Sequence, residues 1–220
     1  MFADRVDAGR QLARALERFA DAPDTVVLGV PRGGVVVAAE VARELGLPLD
    51  VVVAAKVGAP GNPEYAVGAV APDGVVTPSP VAGYSAEELR VLSQPVHDLV
   101  RRRLQAFRGG RAEFDVARRT VLLVDDGVAT GLTTRAAVEY LHRRGAARVV
   151  VAVPVAPPDS VQMLTTVADE VAVLESPFGF AAVGQFYRVF GQTEDAEVMR
   201  LIVDAHATAS RRPGGAQDRI

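Results

Sequence analysis

The sequence predicts an α/β fold: a doubly wound, mostly parallel sheet flanked by helices. Three observations carry that expectation. Short apolar runs rich in β-branched residues recur at 25–30, 49–54, 121–124, 148–153 and 171–174. Each is too short for a buried helix and lacks polar alternation, as expected of strands covered on both faces. Segments of helical periodicity separate most of them, and the connections are short, so neighbouring strands run parallel through right-handed crossovers. No internal repeat or long linker breaks the pattern, and one domain over 1–220 is expected, with its core at about 25–174.

Composition bounds the function. With 220 residues, 49% of them hydrophobic, the chain is long enough for a well-buried core. No stretch of about 18 apolar residues occurs, and Asp4, Arg5, Asp7 and Arg10 stand where a signal peptide is greasy, so a cytoplasmic protein with no membrane partner is expected. The absence of cysteine excludes disulfides and thiolate metal sites, and three scattered histidines argue against structural zinc. A net charge of −3 argues against broad nucleic-acid binding. A homo-oligomer is left open. Basic residues are arginine with one exception, Lys56.

In chain order, residues 4–20 place Val6, Leu12, Leu16 and Phe19 on one face of an amphipathic helix. The strand at 25–30 runs into Pro31, Arg32, Gly33 and Gly34, which open a helix reaching Leu45. Two glycines let backbone approach a ligand closely and Arg32 offers a fork of donors, so this loop suits an anion; a plain strand-to-helix turn is the simpler alternative. The strand at 49–54 ends near Lys56, whose ammonium is thereby expected on the rim where ligands of open α/β sheets collect. Residues 59–65 are rich in turn formers, and 66–70 with 74–77 predict a hairpin around Pro72, Asp73 and Gly74. Ser85 and Glu88 form a capping box at the head of a long helix reaching Arg108, with Pro95 inside it and a basic run, Arg101 to Arg103 with Arg108 and Arg111, on what reads as a solvated face, docking of an anionic substrate or a subunit being the sharper alternative. Beyond the strand at 148–153, Pro157 and Pro158 introduce a helix over 159–168; a strand at 171–174, an aromatic-rich segment at 176–190 and a closing helix at 194–205 follow, then a flexible tail at 210–220.

The richest stretch is 121–134. Four apolar residues end in Asp125 and Asp126, a turn of small residues runs from Gly127 to Gly131 with Thr130 and Thr133 supplying hydroxyls, and helical spacing begins near Leu132 with Ala136, Ala137, Tyr140 and Leu141. Strand, turn and helix aim free backbone N–H groups and the positive end of a helix dipole at one point, which suits a phosphate. Two carboxylates beside it would repel a bare phosphate, whereas a sugar ring between them reconciles both, its hydroxyls donating to the acids. A phosphorylated ribose is the expected ligand. Response-regulator receivers also begin with a strand ending in Asp-Asp, but their later phosphoacceptor aspartate has no counterpart: Asp169 precedes its strand.

Positions 121–133 resemble the phosphoribosyl-pyrophosphate (PRPP) signature of type I phosphoribosyltransferases: four apolar residues, two acids, then a Gly/Thr-rich loop. The resemblance implies that Asp125 and Asp126 hold the ribose hydroxyls while Gly127, Val128, Ala129, Thr130, Gly131, Leu132 and Thr133 line the PRPP site, the last five wrapping the 5'-phosphate. It further implies that Arg32, Gly33, Gly34 and Lys56 contact pyrophosphate, with a non-proline cis peptide in the first of these loops. Mg2+ would be held mainly through PRPP, with Asp125 or Asp126 as candidate ligands. The segment at 176–190, together with the N-terminal helix, would form a small hood in which Phe178 and Phe180 meet a nitrogenous acceptor. Family members that salvage 6-oxopurines carry an aspartate where this chain has Ala129, so hypoxanthine and guanine are not implied. The implied activity is transfer of phosphoribose from PRPP with release of pyrophosphate, with Asp125, Asp126 and Lys56 as the catalytic candidates. A PRPP-sensing regulator without turnover is the alternative.

Overall fold

In the computed structural model, which describes residues 1–209, five parallel strands form one sheet: β1 (Thr25–Gly29), β2 (Leu49–Val51), β6 (Thr120–Val124), β7 (Arg148–Val155) and β8 (Glu170–Glu175). Their spatial order is β2-β1-β6-β7-β8. The central strand β6 pairs Leu122 with Val27 on one side and with Val150 on the other. Both faces are covered, which is why the strand carries no polar alternation. Leu122 and Val124 pack toward α1 (Arg5–Ala15) and α2 (Gly33–Leu45), while Val121 and Leu123 pack toward α4 (Leu132–Arg143). The expected tail at 210–220 lies outside the described residues.

Several helix boundaries are written in local chemistry. Asp4 caps α1 by accepting from the backbone of Asp7, and the α-helix stops at Ala15, followed by a 3₁₀ turn at Glu17–Phe19 rather than continuing to Ala20. The capping box at Ser85 opens α3 (Ala86–Arg108) as expected, and Gly109 closes it in the left-handed region at φ 57°. The basic run divides: Arg101 to Arg103 are exposed, whereas Arg108 turns inward to Asp50, 3.3 Å away, and to the carbonyl of Val51 at 3.0 Å. The helix at the paired prolines, α5 (Pro158–Leu164), is shorter than expected, and α6 (Asp195–Ala209) closes the described chain.

The structure corrects one stretch. Residues 62–65 are not a turn: they begin β4 (Asn62–Val70), which pairs antiparallel with both β3 (Ala55–Ala59) and β5 (Val76–Pro78) in a second, three-stranded sheet. The turn contracts to Pro60 and Gly61, where φ is 75° at the glycine. Lys56 accordingly lies within an antiparallel strand of this smaller sheet, not at the end of a parallel one, because β2 stops at Val51.

Candidate functional site

After β1 the chain turns to β2 on one side of the sheet, while the strands that follow β6 lie on the other. Neighbouring loops therefore diverge above β1 and β6 and leave a crevice at their carboxyl ends, the usual ligand position of an open α/β sheet. The loop at 30–32 leads from β1 into α2, and the loop at 125–131 leads from β6 into α4. Both helices begin without a side-chain cap and without an acid in the first turn, whereas α1 and α3 are capped. Two sets of helix-terminal N–H groups thus remain available to an anion.

The loops touch. A Cβ on Gly34 would lie 2.7 Å from Asp125 Oδ1 and 2.8 Å from its Cα, and a Cβ on Gly33 would overlap Asp126 Oδ2. Only glycine admits that approach. The peptide joining Pro31 to Arg32 is cis, as the resemblance implied for this loop. On the other loop, Gly131 has φ 74° and packs against Met163, the Val128 N–H donates to the Val155 carbonyl at 2.9 Å, and Ser160 Oγ donates to the Ala129 carbonyl. These contacts fix the turn from behind, leaving Ala129 and Thr130 exposed.

The acid pair is electrostatically costly as it stands. The Asp126 N–H donates to Asp125 Oδ1 at 2.8 Å. Burial first, and then the neighbouring charge of Asp126, push the Asp125 carboxyl well above the ordinary carboxylate range. Burial also raises Asp126, but Arg5 opposes the shift: its Nε donates to Asp126 Oδ2 at 2.7 Å. Arg5 further donates from Nη1 to the Gly191 carbonyl at 2.7 Å and lays its guanidinium 3.9 Å from the centre of the Phe190 ring. Tyr187 donates its hydroxyl to the Asp126 carbonyl at 2.5 Å, and burial with the nearby acids raises its phenol.

The other sequence-predicted residues are distributed less tightly. Arg32 reaches toward Asp195 at 3.7 Å, at the start of α6. Lys56 pairs with Glu64 at 2.7 Å on the small sheet. Phe178 is 95% exposed, while Phe180 stacks on Phe186 with ring centroids 5.4 Å apart. Sequence reasoning passed over Arg5, Tyr187 and Phe190 as site residues. The backbone places them: the Phe2 N–H donates to the Phe186 carbonyl at 2.8 Å and the Arg188 N–H to the Phe2 carbonyl at 2.9 Å, tying the N-terminus to the 186–190 segment directly above Asp126.

The donor set suits magnesium better than a softer ion. Two adjacent carboxylates, one of them burdened by burial and like charge, offer hard oxygen ligands. Among the described residues no group of three or more His, Cys, Asp or Glu side chains is placed to hold a metal by itself.

An open parallel α/β sheet with two uncapped helix termini and an acid pair at its switch point is the architecture expected of the type I phosphoribosyltransferase class. A profile of the phosphoribosyl transferase domain family matches residues 4–183, and the chain belongs to that family. It is 44% identical over 210 residues to two Mycobacterium tuberculosis proteins, from strains CDC 1551 / Oshkosh and H37Rv, that are provisionally named phosphoribosyl transferases. The alignment covers 94% of this chain and 47% of theirs, so the chain spans about half the length of these curated relatives. The crystal structure of TT1426 from Thermus thermophilus superposes with a TM-score of 0.78 at 46% identity, covering 92% of this chain and 98% of that one. No helix among the described residues is long and apolar enough to cross a membrane.

Proposed function

We propose that this domain binds PRPP with Mg2+ in the crevice above β1 and β6 and transfers phosphoribose to a nitrogenous acceptor, releasing pyrophosphate. The observation that carries the reading is the contact between the two loops: Gly33 and Gly34, at an uncapped helix terminus, abut Asp125 and Asp126 beside a second uncapped terminus. A ligand with two anionic ends and a hydroxylated ring between them matches that order of groups. The 5'-phosphate takes the N–H groups of residues 129–133, Asp125 and Asp126 accept from the ribose hydroxyls, and the pyrophosphate lies along Arg32, Gly33 and Gly34.

In the reaction the anomeric C–O bond breaks with its electrons leaving on pyrophosphate, and the acceptor nitrogen forms the new C–N bond as its proton is released to water. Magnesium would be held mainly through PRPP, with Asp125 or Asp126 as candidate ligands, and would supply charge neutralisation on the phosphate oxygens. The chain's own contribution is position and electrostatics: the acids orient the ribose and offset positive charge developing on the sugar, and Arg32 receives charge on the departing group. Lys56 would join Arg32 by leaving Glu64, an exposed pairing that costs little to break. Phe178 and Phe180, on the hood, are the candidates for stacking on the acceptor. At Ala129 the side chain offers no acid or base, and its carbonyl is already engaged by Ser160. Acceptors other than hypoxanthine and guanine are therefore favoured.

The test is Mg2+-dependent release of pyrophosphate from PRPP across a panel of nucleobases. Turnover with one base class establishes the transferase. Tight PRPP binding with no turnover for any base would instead assign the domain a PRPP-sensing role.

A further inference from the structure

We propose that Arg5 is a positioning residue for the ribose, remaining on Asp126 when the sugar phosphate binds and tying the floor of the site to its hood. The inference rests on the phosphoribose reading above and adds a residue outside every loop considered so far.

Arg5 is the first residue of α1, 121 positions from its partner, yet its Nε meets Asp126 Oδ2 at 2.7 Å. A second anchor is the Gly191 carbonyl, 2.7 Å from Nη1, and a third is the face of Phe190 at 3.9 Å. Both members of the pair are largely enclosed, with side-chain exposures of 13% and 15%. The same Nε lies 2.6 Å from where a Cβ on Gly33 would stand, so three segments converge on this one point: the helix N-terminus of α1, the acid pair after β6, and the glycines after β1.

A guanidinium held at three points in a poorly hydrated junction behaves as a fixture rather than a swinging gate, because release would break a charge-assisted bond, a backbone bond and a ring contact together. Fixing Oδ2 also fixes the plane of the Asp126 carboxylate beside Asp125, and with it the direction from which the acid pair meets a ribose hydroxyl. Because Phe190 belongs to the hood and Gly191 follows it directly, the same fixture relates the seat of the acceptor to the seat of the sugar.

The experiment compares two fragment ligands, ribose 5-phosphate and inorganic pyrophosphate, each with Mg2+, by titration calorimetry on the wild-type chain and on Arg5→Gln and Arg5→Lys. Circular dichroism verifies that each variant is folded. Arg5→Gln is expected to weaken ribose 5-phosphate by about ten-fold, equivalent to about 1.4 kcal/mol, while pyrophosphate binding changes by less than about two-fold. Arg5→Lys, which keeps a cation on Asp126, is expected to recover most of the loss. Equal weakening of both ligands would reduce Arg5 to a structural role and overturn the proposal. Tighter ribose 5-phosphate binding by Arg5→Gln would overturn it too, since Arg5 would then be a group the sugar has to displace. Failure of the wild-type chain to bind either PRPP or ribose 5-phosphate removes the phosphoribose reading itself, an outcome distinct from both.

Discussion

Gly33→Ala is the sharpest probe of how the site is assembled, because the added methyl has nowhere to go. Its Cβ would overlap Asp126 Oδ2 and stand 2.6 Å from Arg5 Nε and 2.8 Å from Asp126 Cγ. The atoms that yield most easily belong to the Asp126 carboxylate, and moving it breaks the hydrogen bond with Arg5 at 2.7 Å. Loss of a charge-assisted hydrogen bond costs about 1.5–3 kcal/mol. Replacing glycine by alanine in a helix returns up to about 1 kcal/mol, less at a first turn. The net loss is about 1.5 kcal/mol, and at roughly 2–4 °C per kcal/mol for a chain of this size Tm falls by about 3–6 °C. Thermal unfolding of the ligand-free chain measures it. A double-mutant cycle with Arg5→Gln then asks whether the loss runs through the ion pair: the two changes should be strongly sub-additive. A Gly33→Ala chain as stable as wild type, or losses that simply add, would refute the account of three segments meeting at Asp126.

Other perturbations follow from neighbouring contacts. Gly34→Ala meets main-chain atoms, the Asp125 Cα at 2.8 Å and the Val124 carbonyl at 3.0 Å, so its Tm should fall further than that of Gly33→Ala; an equal or smaller fall in the same scan contradicts the geometry. Asp125→Asn keeps the oxygen that accepts from the Asp126 N–H while removing the burdened charge. Because the carboxyl is raised in the folded state, its stabilising contribution is present below the unfolded value near 3.9 and is lost as pH rises through the folded one. The variant should therefore exceed wild type in Tm at neutral pH, by about 1–8 °C if relief of a strained functional site is worth about 0.5–2 kcal/mol, and the gap should close on acidification; melting curves at pH 4 to 8 test the sign. Saturation with PRPP at about 100 times its dissociation constant should add about 2.7 kcal/mol, or roughly 5–11 °C, and a chain with both acids changed to asparagine should lose that shift. Asp50→Ala leaves the Arg108 guanidinium, 11% exposed, without its buried partner and deprives the Phe114 N–H of its acceptor at 3.1 Å. Glu113, 3.4 Å from the same guanidinium, keeps part of the charge balance, so the cost is expected at about 3 kcal/mol, seen as a fall in Tm of roughly 6–12 °C.

Much of the fold was legible because it is local. Runs such as 121–124 can hardly be anything but strands buried on both faces, Ser85 and Glu88 announce their capping box three residues apart, and the order strand, acid pair, small-residue turn, helix is contiguous between Val121 and Arg143. Where pairing rather than propensity decides, the reading failed: Asn62 and Pro63 look like turn residues, and it is pairing with β3, Asn62 opposite Ala59, that makes them the start of a strand. The end of β2 at Val51, and with it the removal of Lys56 to another sheet, was likewise hidden in an unbroken apolar run.

The amino-acid sequence by itself determined most of the units: the five strands of the main sheet and the helices between them, where two phosphate-suited loops begin, and that two carboxylates stand at the end of one strand. Those are matters of periodicity, small residues and charge over fewer than about fifteen positions. Tertiary structure alone decided that β1 and β6, 95 residues apart at Gly29 and Val124, are hydrogen-bonded neighbours. That adjacency sets Gly33 and Gly34 against the acid pair and brings Arg5 over Asp126, by a balance of strand order and hood packing that no short stretch of chain encodes.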